Sequence, residues 1–309
     1  MQVHPQIAIL LTTYNGARFL DEQIQSIIEQ SYTHWAIHAS DDGSADETLA
    51  ILLRHQETLG AERLRIYHGP QQGFAQNFMS LVRNPAIRAD YYAFCDQDDV
   101  WLPDKLARSM HRLAQLPQNK AALYGSRTVL IDEFGKTLGM SPLFKKPPSL
   151  KNALVQNIAG GNTMLFNEAA RHYLAETAED AKIVAHDWLA YLVTTAAQGT
   201  VIYDANPSVL YRQHHHNLIG ANHGLKNQLI RLARLHRGDL QYWIEENLAA
   251  LDGCQHLLPM ESRIIIENFK KARQRHGYQR WRDFTKIGLY RQTLLGNLGL
   301  AWAILIGKI

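Results

Sequence analysis

The reading of the fold turns on Tyr91-Tyr92-Ala93-Phe94-Cys95-Asp96-Gln97-Asp98-Asp99-Val100-Trp101-Leu102-Pro103-Asp104. Its first five residues carry no charge and suit a buried strand. The run then breaks into three carboxylates within four residues. The same strand-then-polar pattern precedes it three times. Ile7-Ala8-Ile9-Leu10-Leu11 leads to Thr12-Thr13-Tyr14-Asn15, and Trp35 to Ser40 leads to Asp41-Asp42-Gly43-Ser44. Leu64 to Tyr67 leads to the segment Gly69 to Gly73. Apolar residues at helical spacing fill the intervals: Ala17 to Gln30, Asp46 to Glu57 and Ala75 to Arg83. Strand and helix alternating at this spacing predict a Rossmann-like α/β sheet, parallel and covered by helices on both faces. In such sheets ligands bind beyond the carboxyl ends of the strands. The polar residues after each strand therefore converge on one binding edge.

Three carboxylates so close repel one another unless something positive lies among them. Hard divalent cations take oxygen ligands, and Mg²⁺ commonly uses one or two carboxylates together with substrate phosphates. Capping of the helix that opens at Pro103 is the local alternative, but a cap needs one carboxylate and not three. Asp42 is open to two readings. Ser44 and Glu47 are spaced as a capping box, which explains that stretch without a ligand, while Asp42 at the sheet edge is placed to accept a hydrogen bond from a nucleobase. Tyr14 at the end of the first strand is placed to stack on a base, or simply ends the strand.

Past Lys120 the pattern loosens. Short strands are predicted at Ala121 to Tyr124, Thr128 to Ile131 and Val201 to Tyr203, with a Pro/Lys-rich loop from Ser141 to Pro148. Gly160-Gly161-Asn162 precedes an apolar strand and allows either close approach of a ligand or a turn. His186-Asp187-Trp188 opens a helix, where Asp187 serves as a helix-start acid or as a general base. Of His214, His215 and His216, neighbours in sequence that cannot all face one ion, His214 is the preferred ligand candidate. The last stretch sets Trp281, Phe284, Ile287, Leu294 and Leu298 at helical multiples, with Arg280, Arg282, Lys286 and Arg291 between. Such a basic amphipathic helix suits an anionic membrane surface, or packs on the globular body or a second subunit.

The 309 residues, 46% hydrophobic and 20% charged, have a globular composition. A net charge of +3 is too small to argue for nucleic acid. Two cysteines outside any CxxC pair make no disulfide framework. Neither a signal peptide nor an uninterrupted apolar run of about 20 residues is evident, so a cytoplasmic chain is expected.

Taken together, these motifs resemble family 2 glycosyltransferases (GT2), inverting nucleotide-sugar enzymes with the GT-A fold. The resemblance rests on Thr12 to Gly16, Asp41 to Ser44 and Asp96 to Asp99, where Asp96 and Asp98 form a DXD motif, with Trp101 to Leu106. Gly160-Gly161-Asn162, His186-Asp187-Trp188 and Tyr211-Arg212-Gln213-His214 extend it over roughly residues 5 to 220. It implies a GT-A domain over 1–220 and a helical, basic C-terminal region over 221–309. The Asp-Gln-Asp-Asp-Val-Trp form is similar to bacterial rhamnosyltransferases of surface polysaccharide synthesis.

Carried over by position, the resemblance implies that Thr12, Tyr14 and Asp42 hold the donor's base and ribose. Asp96 would touch the ribose or a metal-bound water. Asp98, with His214, would hold Mg²⁺ or Mn²⁺, and Asp187 would be the base that deprotonates the acceptor. Many relatives have Glu-Asp where this chain has His186-Asp187. The expected reaction is transfer of a sugar, best matched by rhamnose from dTDP-rhamnose, to a saccharide or lipid-linked saccharide at the inner face of the membrane. The alternatives are a UDP-glucose- or UDP-galactose-type donor and a non-catalytic binding subunit.

Overall fold

The computed structural model describes residues 4–214 and 238–309. The predicted α/β alternation is present: β1 (Ile7–Thr13), α1 (Ala17–Ile28), β2 (Trp35–Asp41), α2 (Thr48–Leu59), β3 (Leu64–His68), α3 (Phe74–Arg83) and β4 (Tyr91–Cys95). These four strands lie side by side as β3-β2-β1-β4, all parallel. Every residue of β1 and β4 is buried, as expected of strands covered on both faces. Alternation then divides β1 between two cores. Ile7, Ile9 and Leu11 face Leu20, Ile24 and Ile27 of α1, while Ala8 and Leu10 face Phe78, Met79 and Val82 of α3.

Beyond β4 the sheet becomes mixed. β5 (Val100–Trp101), α4 (Lys105–Leu113), β6 (Ala122–Ile131), β7 (Thr137–Met140), α5 (Leu150–Ala153), β8 (Leu165–Asn167), α6 (Glu168–Ala175), α7 (His186–Ala196) and β9 (Thr200–Arg212) complete the first stretch. β8 is antiparallel to β4 and β6, and β9 runs parallel to β6. The sheet order is β3-β2-β1-β4-β8-β6-β9-β5, with β7 on β6.

Two corrections follow. The two short strands expected around Tyr124 and Thr128 are one strand. The strand expected at Val201 to Tyr203 runs nine residues further, to Arg212. Asp204, Asn206 and Pro207 read as a turn, but the β6–β9 register shifts between Ser126 and Thr128, and that irregularity absorbs the proline. The length matters, because β9 carries the chain to the mouth of the β4 loop. The capping box also fails: the Ser44 hydroxyl donates to Asp41 and accepts from Asn15 N–H, and α2 begins only at Thr48.

The C-terminal helices are α8 (Asp239–Cys254), α9 (Met260–Gln274), α10 (Gly277–Ile287) and α11 (Leu294–Leu305). They join the core on the α3 side of the sheet through Ile244, Leu251, Phe269, Phe284, Leu300 and Ala303. The expected boundary near residue 220 lies outside the described residues, and the helices beyond it pack on the sheet domain. The expected single amphipathic helix is two. Gly288, with φ of 74°, ends α10 in the left-handed conformation that glycine accepts readily. Phe284, Ile287 and Arg280 are buried, and the Arg280 guanidinium donates to the carbonyls of Arg273, Arg275 and Ile309.

Where α8 docks, Gly253 lies against the backbone of Glu176 to Ala178. A Cβ there would fall 2.3 Å from Ala178 N and 2.7 Å from Glu176 O. Backbone cannot yield as a side chain does, so Gly253→Ala should cost about 1–3 kcal/mol. Thermal unfolding followed by circular dichroism checks this; an unchanged midpoint would show that the α8 contact is slack.

Candidate active site

The site is built at the carboxyl ends of β1, β2 and β4. β1 and β4 are tied just beyond their ends: Tyr14 N–H donates to Gln97 Oε1 (2.8 Å), and Gln97 Nε2 donates to Tyr14 O (3.0 Å). The clasp leaves the Tyr14 ring exposed and Thr12 buried behind it. Asp41 accepts from Thr13, Gly43 and Ser44 and so shapes the turn after β2. The Asp42 carboxylate accepts from Gln71 N–H (2.6 Å) and Gly73 N–H (3.1 Å), holding the loop after β3 against the sheet edge.

After β4 the three acids part company. Asp99 turns inward and is fully buried, where its carboxylate accepts from Asn162 Nδ2 (2.5 Å) and the Arg212 backbone N–H (3.0 Å). Asp98 turns outward, and its Oδ2 meets His214 Nε2 at 2.7 Å. The structure thus brings together the two residues predicted to share a metal, although 116 positions separate them. His215 and His216 lie outside the described residues. Asp96 is half-buried, and burial, with the charges of Asp98 and Asp187 behind it, holds its carboxyl well above the usual range.

Asp187 enters from the other side, in the first turn of α7. Its carboxylate accepts from Trp188 N–H (2.7 Å) and Gly161 N–H (3.2 Å), and Asn157 adds a side-chain hydrogen bond. Burial outweighs these donors and pushes the carboxyl up to about 6. The approach depends on Gly161, where a Cβ would fall 2.4 Å from His186 Nε2.

His186 itself faces away into the core. It stacks on Phe78 at 3.8 Å and meets Phe94 edge-on at 4.6 Å, and burial drives its pKa down to about 3. A neutral imidazole is tolerated in this aromatic box, whereas a carboxylate would pay heavily for entering it.

Four supporting residues were given no role by the sequence reading. Arg212, 2% exposed, donates through Nε to Asp98 O and through Nη1 to Glu133 O. Its Nη2 reaches Glu22 on α1 at 2.5 Å, and its guanidinium lies 4.6 Å from the Phe19 ring centroid. Asn157 and Asn162 orient Asp187 and Asp99 respectively. Beneath the loop, Lys105 is fully buried with Nζ 3.8 Å over the Trp101 ring, and burial lowers its pKa to about 7 despite the pull of Asp99. A lysine opening a helix ordinarily reads as solvated, so no pattern marks it. Arg212 and Asn162 carried a signal, as members of the Tyr-Arg-Gln-His and Gly-Gly-Asn runs.

Comparison with known proteins agrees with this geometry. The sequence profile of glycosyl transferase family 2 matches residues 8–174, and the chain belongs to that family. It is 29% identical over 232 residues to the dTDP-rhamnosyl transferase RfbG of Shigella flexneri, covering 72% of this chain and 78% of that one. An uncharacterized glycosyltransferase of Rickettsia felis is 28% identical over 136 residues, but this chain spans only 21% of its length. Among solved structures, Staphylococcus aureus TarS 1-349 superposes with a TM-score of 0.56 at 13% identity, over 91% of this chain and 80% of that one. The mannosyltransferase PcManGT of Pyrobaculum calidifontis, in complex with GDP-Man and Mn²⁺, gives 0.51 at 16%, over 93% and 85%. The fold is the α/β GT-A type of these glycosyltransferases, extended by C-terminal helices, and the protein is a glycosyltransferase.

Proposed function

We propose that this enzyme is a metal-dependent, inverting transferase that moves L-rhamnose from dTDP-rhamnose to a saccharide or lipid-linked saccharide in bacterial surface polysaccharide synthesis. The observation that carries the chemistry is that the Gly161-Asn162 pair joins the acidic loop after β4 to Asp187: Gly161 N–H donates to Asp187 and Asn162 Nδ2 to Asp99. The donor assignment is supported by the likeness to RfbG over most of that protein's length.

Among the described residues, no group of three His, Cys, Asp or Glu side chains is arranged to hold an ion. The Asp98–His214 pair nonetheless fits one: a carboxylate oxygen and an imidazole nitrogen suit Mn²⁺ or Mg²⁺ when a diphosphate supplies further oxygens. PcManGT, of the same fold, was crystallised with GDP-Man and Mn²⁺. When bound, such an ion neutralises the charge of the departing nucleoside diphosphate.

Everything else falls to the chain. Tyr14 stacks on the base, with Thr12 and Asp42 completing the base and ribose contacts, and Asp96 meets the ribose. Asp187 takes the proton of the acceptor hydroxyl as it attacks the anomeric carbon, while Gly161 N–H and Asn157 keep its carboxylate aimed. One displacement inverts that carbon, and the C–O bond to the diphosphate breaks as the new glycosidic bond forms.

Calorimetric titration with dTDP and with UDP, each with and without Mn²⁺, tests the reading beside Asp98→Ala. Binding of dTDP should strengthen with Mn²⁺, and that increment should vanish in the variant. Preference for UDP would move the donor to a UDP-hexose. Failure of the folded protein to bind either nucleotide would overturn the assignment.

A further inference from the structure

α11 is apolar on all sides. Its twelve residues, LLGNLGLAWAIL, include no charged side chain. One face, Leu300, Ala303 and Ile304, is buried in the core. The opposite face carries Leu294 (77% exposed), Leu295 (66%), Leu298 (59%), Trp302 (49%) and Leu305 (63%). At about 100° per residue these five fall within one stripe roughly 100° wide. Globular proteins seldom leave five large apolar side chains contiguous and uncovered. No helix among the described residues is long and apolar enough to cross a membrane, and α11 has only 12 residues.

The charges say what covers the stripe. Residues 277–309 hold five basic side chains (Arg280, Arg282, Lys286, Arg291, Lys308) and one acidic side chain, Asp283. The rest of the chain is therefore close to neutral, since the whole carries +3. A two-fold contact with a second copy would set this basic region against itself, whereas an anionic lipid surface pairs it. We propose that the exposed face of α11 lies in the headgroup region of an anionic membrane, its leucines and Trp302 inserted shallowly, with Lys286 and Lys308 at the phosphates and Arg280 kept in the core.

This contact would set the orientation of the enzyme. The segment entering α11 is tied to α5 and the residues just after it: Gln292 N–H donates to Gln156 Oε1 (2.8 Å), and Asn152 Nδ2 donates to Tyr290 O (3.0 Å). The next residue, Asn157, is the one that hydrogen-bonds Asp187. The membrane face is thus linked to the acceptor side of the site, where a lipid-linked acceptor would enter. That orientation rests on reading Asp187 as the base; the lipid contact itself does not.

The test is flotation with vesicles of phosphatidylcholine alone or with phosphatidylglycerol, for the wild type, Leu294→Ser/Leu298→Ser and Lys286→Glu/Lys308→Glu. The wild type should float with anionic vesicles. The leucine variant should bind on the order of tenfold more weakly for each leucine removed, and the charge variant should lose its preference for phosphatidylglycerol. Calorimetric nucleotide binding on the same proteins should not change. Loss of nucleotide binding in the wild type would sink the donor-site reading and leave the flotation result standing. Flotation unaffected by the leucine substitutions would overturn the proposal, as would a wild-type dimer that Leu298→Ser dissolves and that ignores vesicles.

Discussion

Asp187→Asn should retain nucleotide binding and lose transfer by on the order of 10²–10⁴-fold, the usual contribution of a positioned general base. The amide keeps the size of the carboxylate and can still accept from Trp188 or Gly161, but it has no basic oxygen for the acceptor's proton. The wild-type rate should carry the same signature. Burial raises the Asp187 carboxyl from the ordinary carboxylate range to about 6, so the ionised base prevails above that pH and the protonated form below it. Initial rates at saturating donor should therefore fall about tenfold per unit below pH 6 and level off above it. The fold responds in the opposite sense, because a raised carboxyl favours the folded state at low pH and that contribution fades as pH climbs through about 6. A drop in rate caused by acid unfolding is thus separable from one caused by protonation of the base. Transfer by Asp187→Asn near the wild-type rate, or an acid limb unchanged in Asp187→Glu, would remove Asp187 from the role.

How much of this could be read in the sequence depends on what each residue's signal was made of. β1 and β4 announce themselves because strands buried on both faces admit only apolar residues, and the acids that follow cannot be anything but a strand end. β9 is different. Its second half runs through Asp204-Ala205-Asn206-Pro207, locally a turn, and only pairing with a shifted β6 keeps it a strand. In the tail, periodicity set the apolar residues apart from the basic ones except Arg280, which is buried with Phe284 and Ile287, and it cannot say whether protein or lipid covers the apolar side. Phe284 and Ile287 are covered by protein, while Leu294 and Leu298 remain open. Gly288 decides between the two outcomes by ending one helix before the next begins.

The site shows the same division. The residues proposed to carry the chemistry, Asp98 and Asp187, sit in recognisable motifs, since the proposed reaction restricts both the residue type and its place after a strand or at a helix start. The residues that support them are less legible. Asn157 is an ordinary amide in a loop, selected only by the partner the fold supplies, and the Gly-Gly-Asn motif that holds Asn162 does not say that its amide aims Asp99. Lys105 is the extreme case, a cation placed under an acidic loop by a helix whose sequence gives no reason to bury it.

Arg212 is where folding and chemistry depend on one side chain, and its loss should be the most damaging change outside the reacting groups. The guanidinium joins three pieces of chain: the β4 loop at Asp98 O, the turn after β6 at Glu133 O, and α1 at Glu22. Replacing it with methionine keeps the apolar stem and a contact with Phe19 but strips the donors from two carbonyls. With each unsatisfied group costing about 1–3 kcal/mol, Arg212→Met should lower stability by roughly 3 kcal/mol. The Glu22 pair adds little, because that carboxylate is 56% exposed. Arg212→Lys should recover only part of the loss, since one ammonium cannot serve three acceptors at fork positions. The effect should also reach the diphosphate site. Asp98 lies against Arg212 in space and His214 follows two residues after it in sequence, so a β4 loop no longer pinned at Asp98 O would present its carboxylate loosely. Mn²⁺-dependent nucleotide binding should weaken in Arg212→Met at temperatures where the variant is still folded. Glu22→Gln, which leaves both carbonyl contacts in place, should bind nucleotide as the wild type does. If Arg212→Met unfolds earlier but binds nucleotide and Mn²⁺ unchanged while folded, Arg212 holds the fold alone and the diphosphate site is built without it.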